Sequence, residues 1–135
     1  MFKTVLFPVD SSKDSLEAAQ MVAELVKSNQ SRLYLLSVVE IESSGKHRES
    51  AMQSAEEVAI LLKTVKGFFA QRGVDVELLE REGIPSFIIC DVADEIAADL
   101  IVMGCRGLGL TNEGLAESVT YRVVNLSPCP VLIVP

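Results

Sequence analysis

A chain of 135 residues with 19 acidic and 12 basic side chains carries a formal charge of -7. That balance argues against nucleic acid as a partner, because tracking along phosphates needs clustered Lys and Arg to displace counterions. Apolar residues make up 49% of the chain, yet no apolar run approaches the roughly 18 residues that cross a bilayer, so the apolarity belongs inside one domain spanning 1–135.

The first apolar run, Thr4 to Val9 (TVLFPV), predicts a strand that stops at Asp10-Ser11-Ser12, a cluster able to cap a helix. From Ser15 to Lys27, Leu16, Ala19, Val22, Ala23 and Val26 recur at helical spacing and predict one buried face. Arg32 to Val39 (RLYLLSVV) reads as a second strand, parallel to the first because a helix separates them. Residues 41–50 are polar and aperiodic and read as an exposed loop, which holds the lone histidine, His47, as a solvated residue. A long helix is expected from Ala51 to Phe69, with Gly73 placed to end it, and Val74 to Leu79 as the third strand. Gly83-Ile84-Pro85 opens a helix through Ile96, with proline near its first turn. Asp99 to Met103 is the fourth strand, Ser118 to Leu126 the last helix and Pro130 to Val134 the last strand.

This alternation predicts a doubly wound α/β sheet, whose ligands gather beyond the carboxyl ends of the strands near the switch point. Three places qualify: Asp10, the end of the second strand at Val38 and Val39, and the glycine-rich stretch from Gly104 to Gly109. Glycine allows close backbone approach to a phosphate, and the free N–H groups opening a helix favour an anion. Each feature also has a plain structural reading. The glycines could simply make turns, Asp10 could only cap the first helix, and Arg106 could be a solvated loop residue. Catalytic signatures are missing: no serine lies in G-x-S-x-G and no G-K-[ST] follows the glycines. Cys90, Cys105 and Cys129 lack C-x-x-C spacing, so they fit neither a disulfide framework nor a zinc site and read as space-filling residues. The opening MFKTVLFP lacks the apolar length of an export signal, which leads us to expect a cytoplasmic location.

The order PVD at Pro8 to Asp10, MGCRG at Met103 to Gly107, and SPCPVLIVP at Ser127 to Pro135 closely resembles the universal stress protein family along the whole chain. The nucleotide-binding branch of that family carries G-x-x-G, nine residues, then G and Ser or Thr. Gly104, Gly107 and Ser118 match, whereas Glu117 stands where the last glycine belongs. The resemblance implies a three-layer α/β/α sandwich like the adenine nucleotide α-hydrolases, with a five-stranded parallel sheet in the order 3-2-1-4-5. It also implies a homodimer through the last strand, Val131, Leu132, Ile133 and Val134, or alternatively a nucleotide-independent dimeric scaffold. The implied ligand is an adenine nucleotide, ATP, ADP or AMP, with Mg²⁺ only alongside it. Its base would lie near Val9 and Val38, its ribose near Asp10 and Gly104, and its phosphates along Gly107 and the turn of Ser118, Val119 and Thr120, with Arg106 able to pair with a phosphate and Pro8 and Met103 also among the binding residues. No catalytic residue is carried over, and at most slow incidental ATP hydrolysis is implied.

Glu117 bears on the length of the phosphate tail. Two unit charges about 5 Å apart repel by roughly 3 kcal/mol at an effective dielectric near 20, and by under about 1 kcal/mol in water. A carboxylate before a helix is itself stabilised by about 0.3 to 1 kcal/mol. Glu117 is therefore expected to occupy part of the distal phosphate site and to weaken ATP binding; the alternative is that it points to solvent and ATP binds anyway, with Mg²⁺ bridging carboxylate and phosphate.

Overall fold

The computed structural model describes residues 1–10, 13–40, 55–104 and 119–135. Along them the elements alternate as β1 (Thr4–Pro8), α1 (Lys13–Asn29), β2 (Arg32–Glu40), α2 (Ala55–Ala70), β3 (Val76–Gly83), α3 (Pro85–Glu95), β4 (Leu100–Gly104), α4 (Val119–Leu126) and β5 (Val131–Val134). The strands form one parallel sheet in the order β3-β2-β1-β4-β5. This is the expected order and class.

Because side chains alternate across a strand, each strand feeds two apolar layers. Val5 and Phe7, Leu33 and Leu35, and Leu100 and Val102 face the layer closed by α1 and α2. There Ala19, Val22 and Val26 meet Val58, Leu62, Val65 and Phe69, and the Phe7 and Phe69 rings pack edge to face at 6.3 Å. Leu6, Leu36, Ile101 and Met103 face the opposite layer, closed by Ile89, Val92 and Ala93 of α3 and Val123 of α4. The central strands β1 and β4 are buried on both faces, which is why they read as unbroken apolar runs.

Three helices end in the same way. In α1, α2 and α3 the residue after the last turn takes a left-handed conformation: Gln30 at φ 55, Gly73 at φ 77 and Ala97 at φ 55. The following N–H groups reach back to close the turn, Ser31 to the Val26 carbonyl, Val74 to Phe69 and Ala98 to Ala93, the Schellman arrangement. Gly73 thus ends α2, as its position in the sequence predicts.

β3 departs from expectation. Val74 is buried but precedes the strand, since its N–H is taken by the helix-closing bond to Phe69. The strand instead runs on through Glu80, Arg81 and Glu82 to Gly83, each paired with β2 up to Glu40. A charged segment extends here because β3 is an edge strand whose charges reach solvent. The expected helix start at Ala51, the loop 41–50 with His47, and Ser118 lie outside the described residues. Asp99 falls just before β4, where Oδ2 accepts from the Lys3 and Thr4 N–H groups at 2.5 and 3.1 Å. This clamp ties the amino ends of β1 and β4 together.

Candidate functional site

The switch point lies between β1 and β4. Chain order runs outward from β1 to β2 and β3, then returns to the other flank at β4. The ladder between β1 and β4 pairs Val5 with Leu100 and Leu6 with Ile101, short of both carboxyl ends. On the other flank, β1 pairs with β2 as far as Pro8 with Leu36, and the Val9 N–H then donates to the Leu36 carbonyl at 2.8 Å. Val9 is thereby fixed beside the end of β2, with half-exposed Asp10 following it at the carboxyl edge.

Met103 and Gly104 end β4 and are fully buried. The Thr120 hydroxyl donates to the Gly104 carbonyl oxygen at 3.2 Å. This bond brings the first turn of α4, whose N–H groups have no partner within the helix itself, against the end of β4. Its proton is engaged by Gly104 here, so a phosphate drawing on the Thr120 hydroxyl would exchange with that bond. Val38 and Met103 of the sheet and Val119 of α4 pack in the same apolar layer. The structure therefore gathers Pro8, Val9, Asp10, Val38, Met103, Gly104, Val119 and Thr120 at one sheet edge, while Arg106, Gly107, Glu117 and Ser118 lie outside the described residues.

Sequence reasoning missed two serines near this edge. The Ser37 and Ser86 hydroxyls are buried, with 1% exposure each, and have no hydrogen-bond partner. Spacing could have found Ser86, which shares a helical face with Ile89 and Ala93.

A cleft of about 530 Å³ opens at the opposite, amino edge, between the ends of α1 and α2 and the starts of β2 and β3. It contains none of the expected site residues, and its Arg32 is already paired with Glu77 at 2.6 Å. Among the described residues, no group of three or more His, Cys, Asp or Glu could hold a metal ion, and no helix is long and apolar enough to cross a membrane.

A parallel 3-2-1-4-5 sheet with a glycine-ended strand meeting a helix N-terminus at the switch point defines a doubly wound α/β domain. The model of the Universal stress protein family matches residues 1–135, and the chain belongs to that family. It is 62% identical to Universal stress protein Sll1654 of Synechocystis over 136 residues, covering 100% of this chain and 87% of that protein. It is 32% identical to Universal stress protein MJ0531 of Methanocaldococcus jannaschii, covering 99% and 82%. A crystal structure of a universal stress protein in complex with cAMP has a TM-score of 0.81 at 25% identity, covering 99% of this chain and 97% of that one.

Proposed function

We propose that this universal stress protein is a cytoplasmic homodimer that binds an adenine nucleotide at the carboxyl edge as a regulatory or structural ligand, without turning it over. The observation that carries the reading is the Thr120–Gly104 bond, which sets the start of α4 against the end of β4. That is where a helix N-terminus favours phosphate. The similar protein crystallised with cAMP supports an adenylate as the ligand class.

The two sheet edges favour pairing through β5. On β3, Glu77, Glu80 and Glu82 are exposed, and charges of this kind discourage edge pairing. The β5 edge offers Val131, Leu132, Ile133 and Val134, all half-buried, and a two-fold axis would close it on a second copy. Free thiols at Cys90 and Cys129 suit a reducing compartment.

Glu117 tunes the ligand in this reading, favouring AMP or ADP over ATP by charge repulsion at the distal phosphates. Calorimetric titration with AMP, ADP, ATP and adenosine tests the proposal. Binding of AMP, with ATP weaker by several-fold and recovering in Glu117→Gly, is expected. No binding of any of the four overturns it, and an unchanged ATP affinity in Glu117→Gly removes the role of that carboxylate. A sedimentation mass of one chain at micromolar concentration would remove the dimer.

A further inference from the structure

Buried polar side chains in folded proteins are nearly always hydrogen-bonded, so an orphan in a packed layer asks for a partner that is absent. Among the described residues there are two, the hydroxyls of Ser37 and Ser86. Ser37 lies two residues beyond Leu35 and four beyond Leu33 on the same strand face, and so faces the α1 and α2 layer. Ser86 is on the side of the candidate site.

Ser86 lies in the first turn of α3, on the inward face it shares with Ile89, Val92 and Ala93. Those three pack in the layer that also contains Val38, Met103 and Val119. The turn sits at the carboxyl edge, because β3 ends at Gly83, which pairs with Glu40 at the end of β2. A Cβ on Gly83 would come within 2.7 Å of the Ile88 side chain. The glycine thus lets the first turn of α3 fold back directly over the strand ends. This helix start is also uncapped, since the N-cap residue Ile84 makes no side-chain cap bond and Pro85 follows it.

We infer that Ser86 contacts the base edge of the bound nucleotide and helps to select adenine, an inference that rests on the adenylate reading above. The expected base position beside Val38 belongs to the layer that the inward face of α3, with Ser86 in its first turn, also enters. A serine hydroxyl offers one donor and two acceptor sites. It accepts a hydrogen bond from the exocyclic amino group of adenine and donates one to a neighbouring ring nitrogen.

The test titrates the full chain and its Ser86→Ala variant with AMP and with purine riboside 5′-monophosphate, which lacks only the amino group. Ser86→Ala is expected to lower AMP affinity by about 3- to 10-fold, the worth of a typical hydrogen bond. The analogue, which keeps the ring nitrogen, should lose less affinity than AMP, and the thermal midpoint of the free protein should rise. An unchanged AMP affinity in the variant overturns the base contact alone. An equal loss for both ligands overturns it too, since that marks general packing. A wild-type chain that binds neither ligand overturns the adenylate reading itself.

Discussion

Thr120 donates its hydroxyl proton to the carbonyl of Gly104, sixteen positions earlier, across 3.2 Å. The bond joins the last residue of β4 to the first turn of α4, so it orients the helix start toward the crevice. Thr120→Val keeps the shape but leaves the buried carbonyl without this donor. It is expected to cost about 1 to 3 kcal/mol, read as a lower urea midpoint at unchanged slope, and to reduce AMP affinity several-fold. Thr120→Ser should restore most of both.

The helix-closing residues give a second test. Ala97 holds φ 55 after α3, a conformation that disfavours any side chain by roughly 1 to 2 kcal/mol. Ala97→Gly is expected to stabilise the fold by up to about 1 kcal/mol, after glycine's greater loss of chain entropy. The reverse change at Gly73, whose φ is 77 and whose added Cβ would meet nothing within 4 Å, should destabilise through the backbone alone, by about 1 kcal/mol. Thermal denaturation of Ala97→Gly and Gly73→Ala should therefore move in opposite directions.

Ser37 packs its unpaired hydroxyl under the layer containing Phe7 and Phe69. Burying such a group costs about 1 to 3 kcal/mol relative to an apolar one. Ser37→Ala is accordingly expected to raise the urea midpoint, and a lower one would mean that the hydroxyl has found a partner in solution.

The thiols set a pH dependence. Burial pushes the Cys90 thiol above 9.0, its ordinary value, with the charges of Asp91 and Cys129 adding to the rise. Burial raises Cys129 as well, against a hydrogen bond from Ser127 that lowers it and the charge of Asp99 that raises it. The folded chain therefore holds these protons to higher pH than the unfolded chain. Their contribution to stability is complete below the ordinary thiol value and is lost as pH rises through the folded values. Thermal midpoints should fall above about pH 9 more steeply in the wild type than in the Cys90→Ala/Cys129→Ala double variant. Parallel profiles would remove the effect.

Much of this architecture was legible in the sequence because its signals are local. Leu16 to Val26 announced a helix by spacing, Gly73 announced a stop, and the strand runs LYLL and LIVM announced strands buried on both faces. β3 was misjudged at both ends because its limits are set by other elements. Val74 is claimed by the closing turn of α2, and Glu80 to Gly83 are held by the length of β2. The site was legible only as separate motifs. That Gly104 and Thr120 meet, or that Ser86 is buried without a partner, depends on how α3 and α4 lie across the sheet. A serine among apolar residues is indistinguishable from filler until that packing is known.

The acidic rim of β3 has a consequence for assembly. Were β5 to pair with its twin as proposed, the exposed glutamates of β3 would discourage a second joint at the other margin. Growth by strand addition would then halt at a pair and would not run on into a fibre.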